Sequence, residues 1–509
     1  MLETLPPPPR NDHPNNDMWI DEQIWGHRLW DTTNPWLIFL ELLGVAEAKE
    51  RDQSLFDDGG QPYPLRFKPA QRMYVRNILY NNEPLLRIAD EGLADGAAWE
   101  KWLTAMAERA QAVPVRDFSY LRKRFSSFSD FVAMVSMLRG TTIENGSNKR
   151  WSSRFVFPFG RHALYEDLNV KNNSASREYI NFGLPGELVY QMLCRSGRAR
   201  ELAPEIAKML DGDPCDQLLG LLEPDYEEDK STRGNSYLPY GSHQTFEDLA
   251  DDWIALLRGP LPRFDTYPHL AALTCLHLLR YQLLVAADYC FAGKPHFICE
   301  VLAPRRTPVR ELSISNFQMN DTLPSRAVDA YIDAIGRSDE WQRRQSGETP
   351  FADCRRLLVD TVRWPGEDDY SGPTDANALL IDLKRAAQAR HRQHVAAVHR
   401  SYGAGCGLVS RRGTNQLRYA PTDALLKSLI LANVPTRMDY SEFLELLYQR
   451  YGLVIGEREA VQVLTDDEFD RKSFQLNSAR LERRLRTLGM LRRLSDACAY
   501  VENPLSLRM

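Results

Sequence analysis

The chain has 509 residues, 43% of them hydrophobic and 26% charged, which is enough for several buried cores and ordinary for a soluble globular protein. Its formal net charge is -6, so the molecule is not a polycation, and any nucleic-acid contact has to come from a local patch. The cysteines at 194, 215, 275, 290, 299, 354, 406 and 498 are scattered without a CxxC pair, which argues against a disulfide scaffold and for reduced thiols in a cytoplasmic protein.

Residues 1–17, MLETLPPPPRNDHPNND, lack a basic segment followed by an apolar core and read as a flexible arm, not a secretory signal. Residues 18–140 read as a helical N-terminal domain. Trp19, Trp25, Trp30 and Trp36 are expected to anchor helices in the core, the alternative being an exposed stacking platform. Asp31-Thr32-Thr33-Asn34-Pro35 offers a helix start. Helical stretches from Lys68 to Arg139 break near Asn81-Asn82 and Pro114, and Arg122, Lys123 and Arg124 are expected to face solvent.

Residues 141–400 read as a mixed, mainly helical middle domain. Asn145-Gly146 signals a turn, and Trp151 to Phe159 reads as a strand. In NFGLPGELVYQML, Pro185 suits the first turn of a helix and Glu187 complements its positive end. Arg154, Arg161 and Arg177 could form an anion site at that helix start, although the P-loop spacing is missing. An ordinary strand–loop–helix packing unit is the competing reading. Asp211 to Gly241 reads as a loop or domain joint. Tyr267 to Cys290 is the most apolar long segment, but it contains His269, His277, Arg280, Gln282 and Asp288. A bilayer would tolerate these poorly, so a buried helix and no membrane association are expected. His296 to Leu302 suggests a short strand, Glu367 to Thr374 a loop, and Asp375 to Arg400 a long helix. Gly403, Gly405, Gly407 and Gly413 mark residues 401–420 as a glycine-rich linker.

Candidate chemistry is sparse. His277, Cys290, His296 and Cys299 match no common zinc spacing, and buried thiols are the simpler reading. His391, His394 and His399 lie along one helix without a carboxylate on the same face. There is no HExxH, no GxSxG and no dinucleotide loop. Glu300 is the nearest candidate for a metal-dependent nuclease, but it lacks a D…ExK partner. No catalytic residue, metal or cofactor is therefore expected.

Residues 421–509 carry the more specific signal. Thr422 can cap a helix holding Leu425, Leu426, Leu429 and Ile430. Asp439 and Glu442 resemble a capping box, flanked by Met438 and Phe443 as a hydrophobic staple. A third helix is expected from Ser473 to Gly489, with Phe474, Ser478, Leu481, Leu485 and Leu488 on one face. Arg480, Arg483, Arg484 and Arg486 occupy the opposite arc, and Arg492 and Arg493 follow. From Arg471 to Arg493 there are eight Lys/Arg and one Glu, a local charge of +7. Cys498 to Val501 could close a hairpin. Three helices and a hairpin predict a winged-helix-like domain, whose arginines could meet DNA phosphates or guanines, or dock an acidic partner. The expected fold class is mainly α with small β elements, multi-domain, ending in that unit.

NFGLPGELVYQML and the closing RYGLVIGEREA…LGMLRRLSDACAYVENP resemble proteins encoded in multi-gene bacterial anti-phage defence operons. The resemblance transfers no catalytic residue. It implies a subunit working beside partners such as an ATPase or nuclease. The expected function is a non-enzymatic DNA-binding or assembly subunit of a defence complex. The alternatives are a divergent metal-dependent nuclease and a purely structural adaptor.

Overall fold

A computed structural model describes residues 4–6, 20–57, 65–140, 160–166, 168–171, 174–177, 184–225, 232, 236–301, 306–364, 370–411, 416–495 and 498–505. Over these the chain is mainly helical with a few small sheets, as the composition and periodicity led one to expect.

Helices begin where local chemistry favours them. After α1 (Ile20–Trp25), α2 (Pro35–Arg51) starts at Asn34, whose side chain accepts the Leu37 N–H at 3.0 Å, with Pro35 in the first turn. Then come α3 (Met73–Tyr80), α4 (Pro84–Asp90), α5 (Asp95–Arg109), α6 (Ser119–Arg124) and α7 (Phe128–Gly140). Their apolar faces, with Leu219 and Leu222, form one core. In it Trp99 and Trp102 lie against Phe131, at centroid distances of 5.2 and 4.8 Å. The antiparallel pair β1 (Leu168–Lys171) and β2 (Ser174–Arg177) follows. Next are α8 (Pro185–Cys194), α9 (Ala199–Leu210), α10 (Pro214–Gly220), α11 (Gln244–Arg258) and α12 (Arg263–Tyr289).

The remainder runs β3 (Phe297–Ile298), α13 (Pro308–Arg337), α14 (Asp339–Gln345), α15 (Pro350–Val362), α16 (Ala376–His394), α17 (Val398–Gly405), β4 (Val409–Ser410) and β5 (Arg418–Tyr419). The C-terminal part is α18 (Asp423–Asn433), β6 (Arg437–Asp439), α19 (Tyr440–Tyr451), β7 (Leu453–Val454), α20 (Glu457–Ala460), α21 (Arg471–Thr487), β8 (Leu491–Arg493) and β9 (Ala499–Glu502).

The axis of the main core is α12. Helices α2, α11, α13, α17 and α18 all pack on it. By length and composition it could cross a bilayer, yet 89% of its most apolar stretch is buried inside the protein, as a soluble core helix would be. Trp25 is fully buried beside it and donates from Nε1 to the Gln282 carbonyl at 3.0 Å, so this tryptophan is a core anchor.

Several sequence expectations shift here. The stretch 401–420, expected as a linker, contains the end of α17 and the antiparallel pair β4/β5, with Tyr402, Cys406, Leu408, Val409 and Tyr419 in the main core. Its glycines serve close packing. A Cβ on Gly403 would lie 2.5 Å from Val409 Cγ2, and Gly407 adopts φ +85° with Thr422 Oγ1 pressed against the place a Cβ would take. The expected joint at 211–241 holds α10, whose first N–H groups are capped by Asp213. In the expected N-terminal arm, Leu5 donates its N–H to the Pro239 carbonyl and Thr4 bridges to Tyr240. The expected turn at Asn145 and strand at Trp151 to Phe159 lie outside the described residues. Residues 20–67 contribute to the same core as α11, α12 and the C-terminal helices, while 73–138 belong to the second one.

The strand expected at His296 to Leu302 is the two-residue β3. It pairs in parallel with β7, Phe297 opposite Leu453 and Ile298 opposite Val454. Through it the C-terminal elements are joined to the body.

Candidate nucleic-acid interface

Helix α21 starts two residues before the expected Ser473, because Asp470 caps it by accepting the Lys472 N–H. Phe474, Asn477, Leu481 and Leu485 are buried, and Leu488 is half-buried. Asn477 is the one buried polar residue of the helix. Its Nδ2 donates to the Cys299 and Ile455 carbonyls at 2.9 and 3.0 Å, and its Oδ1 accepts the Val301 N–H at 2.8 Å. One side chain therefore fixes the helix to both sides of the β3/β7 junction. The helix ends at Gly489, whose φ of +71° lets the Met490 N–H return to the Leu485 carbonyl.

From there β8 turns back as β9, and β9 also pairs with β6, giving an antiparallel sheet of order β6-β9-β8. Leu491, Val501 and Met438 align on its inner face. Arg492, Tyr500 and Asp439 align on the outer one, and the Arg437 guanidinium sits 5.5 Å from the Tyr500 ring centroid.

The six arginines expected to form one binding set divide in two. Arg484 donates to Asp423 and to the Pro421 carbonyl, tying α21 to the start of α18. Arg493 pairs with Glu482 at 3.3 Å. Arg480, Arg483, Arg486 and Arg492 have no carboxylate partner among the described residues, and Arg483 donates only from Nε to the Ala479 carbonyl. Arg483, Arg486 and Arg492 are exposed and Arg480 half-buried. At about 100° per residue, Lys472, Arg480, Arg483 and Arg486 fall within an arc of about 120°. A cationic stripe thus faces outward from α21 beside a cationic strand.

The second expected site takes a different form. Arg161 contacts Asp211 at 2.9 and 2.6 Å and Glu50 at 3.1 Å, so carboxylates of the chain already satisfy it. The start of α8 is filled likewise: the Gly186 N–H donates to Glu41 Oε2 at 2.8 Å. A Cβ on Gly186 would lie 2.6 Å from Glu41 Cβ, so this glycine allows α8 to approach α2. Arg177 is in β2, opposite Leu168, and Arg154 lies outside the described residues. Around Arg161 and Gly186 the geometry is that of ordinary internal packing.

Glu300 is fully buried and accepts from Arg310 at 2.8 Å and from the equally buried Arg418. Its carboxylate closes an ion-pair cluster and presents nothing to a metal. Among the described residues no three His, Cys, Asp or Glu side chains gather as a metal would require. His277 Nε2 lies 2.8 Å from Asp252, while Arg280 donates to its Nδ1 at 2.9 Å, so the hydrogen sits on Nε2. Burial lowers its pKa and keeps it neutral. Tyr451 and Arg450 of α19 reach the same Asp252, which links α11 and α12 to the C-terminal elements. His391 contacts Asp21, His394 stacks on Trp30 at 4.4 Å, and His399 bridges Asp321 and the Tyr419 hydroxyl. These histidines work inside the core. Sequence reasoning missed Asn477 and the Glu300–Arg418 pair because each joins residues far apart in the chain. Arg437 and Tyr500 carry a weak signal, their position on strands flanking the arginine helix.

With this geometry in place, comparison with known proteins is informative at one end of the chain. Residues 383–501 match the family described as methylation-associated defense system protein MAD7. The match indicates a defence-system component, in line with the resemblance drawn from the sequence. It begins within α16 and ends in β9, so it takes in α21, β8 and the closing stretch as far as Val501. NFGLPGELVYQML lies outside it. No curated protein and no solved structure gives a significant match to the chain.

Proposed function

We propose that this chain is a cytoplasmic, non-enzymatic subunit of a bacterial defence complex, and that its C-terminal elements form a winged helix that holds duplex DNA. The single observation carrying this reading is the stripe of unpaired arginines on α21 and β8. In a chain of net charge -6, most other described arginines of this unit are paired to carboxylates. The order α18, β6, α19, α21, β8, β9 and the sheet order β6-β9-β8 support a winged helix, with α21 as the helix offered to the major groove and the β8/β9 hairpin as the wing. Any chemistry is left to a partner such as an ATPase or nuclease. The use of Glu300 in an internal ion-pair cluster favours this over the nuclease alternative.

The test is a titration of the purified full chain with duplex DNA at several salt concentrations. Each phosphate neutralised steepens the dependence of log K on log salt by about 0.9. Arg480→Glu, Arg483→Glu and Arg486→Glu together are expected to abolish most of the affinity and flatten the slope, with the fold unchanged because none of the three holds another element. Affinity and slope equal to the parent's, with pull-down of partner subunits also intact, would sink the proposal. Loss of the partner with unchanged DNA affinity would assign the stripe to protein docking instead.

A further inference from the structure

The exposed face of α21 is not uniformly cationic. Leu476 is 46% exposed and lies within the arc of Lys472, Arg480, Arg483 and Arg486, about 20° from Arg483 around the helix axis. Ala479 and Arg480 flank the line from Leu476 to Arg483 at about 50° on either side, so no side chain lies on the line itself. A face that only gripped phosphates would gain nothing from a solvent-exposed leucine at its centre. In the major groove the apolar feature of DNA is the C5 methyl group of thymine or 5-methylcytosine, and the acceptor pair for an arginine is guanine O6 and N7.

We propose that α21 reads bases as well as phosphates, with Leu476 packed against a pyrimidine C5 methyl and Arg483 forked onto a guanine. This rests on the DNA-binding reading above. Seven residues of helix span about 10.5 Å, and base pairs are spaced by about 3.4 Å, so the two contacts are about three base pairs apart. Arg480 and Arg486, at the two edges of the arc, then meet the phosphates on either side of the groove, and Lys472, one turn before Leu476, adds a further cation. Arg484 and Arg493 take no part, being held by Asp423 and Glu482.

The experiment is selection of a randomised duplex library by the full chain, followed by affinity measurements on the enriched duplex. The enriched word is expected to contain a methyl-bearing pyrimidine about three base pairs from a guanine. Replacing that thymine by uracil removes one methyl and is expected to weaken binding about fourfold in the parent and not at all in Leu476→Ala. Cytosine and 5-methylcytosine at the same position, compared in parallel, show whether the methylated base serves equally. Arg483→Ala is expected to lose at least fivefold of the preference for guanine. Salt-sensitive binding without an enriched word, or an equal uracil penalty in Leu476→Ala, would overturn this inference and leave the DNA-binding proposal standing. Absence of salt-sensitive binding would overturn both.

Discussion

Glu300 and His243 show what buried charge and buried neutrality each do in this chain. Arg418 is fully buried, and Glu300 and Arg310 complete its cluster. Glu300→Gln keeps the shape but leaves Arg418 as a buried charge short of its counter-ion, a change that costs about 3–5 kcal/mol. A clear fall in thermal midpoint is expected, with no dependence on added divalent cation; an unchanged midpoint would remove the ion-pair account. His243 caps α11 by accepting the Thr245 N–H, and burial lowers its pKa to about 4. The unfolded value is about 6.5, so the unfolded chain takes up the proton first. The stability that the neutral ring contributes is therefore present above about pH 6.5 and is lost as pH falls towards 4. His277 and His399, also lowered by burial, act in the same direction. His243→Asn preserves an N-cap without a titrating ring. Its thermal midpoint should fall less steeply between pH 6.5 and 4 than the parent's, and parallel curves would show that His243 carries none of the acid sensitivity.

At the scale of elements, the junction of β3, β7 and α21 depends on one amide. Asn477→Ala leaves the Val301 N–H and the Cys299 and Ile455 carbonyls without their partner, at about 1–3 kcal/mol for each buried group. Hydrogen exchange at residues 297–301 and 453–455 should accelerate together, which checks that the two strands open as a unit; acceleration confined to α21 would contradict the clamp. The sequence showed α21 as an amphipathic helix and placed its arginines on one side, since periodicity is a local property. It could not show Asn477, which sits on the apolar face where Ser478 was expected instead. Nor could it separate Arg484 and Arg493 from the other arginines, since their partners Asp423 and Glu482 are set by how α21 meets α18 and the sheet. The start of α8 shows the same dependence on distant residues. Pro185 and Glu187 correctly marked a helix start, but the group that fills it, Glu41, lies 145 residues before Gly186.

Across the whole molecule, the C-terminal elements are built into the body. Helix α18 packs on α11 and α12, β7 pairs with β3, and Tyr451 and Arg450 join Asp252. A fragment of residues 421–509 would expose the apolar face of α18, with Leu425, Leu426, Leu429 and Ile430, and would leave β7 without its strand partner. It is expected to show no cooperative thermal transition on its own, and a sharp transition in calorimetry would show it to be an autonomous unit. The embedding also means that DNA held by α21 would be held at a fixed orientation to the body, a geometry suited to presenting it to a partner.

The sequence by itself determined the mainly helical class, several helix starts, among them those at Asn34, Pro185, Thr422 and Asp439, the buried helix α12, and the arginine-rich helix near the end. Each follows from residues within a turn or two of one another. The tertiary structure decided which charges are paired inside the chain and which are left facing solvent. It turned a glycine-rich linker into core packing, Glu300 into an ion-pair partner and two of six arginines into internal ties. The physical reason is the same in each case: a charge or a glycine takes its role from what faces it, and those neighbours come from distant parts of the chain.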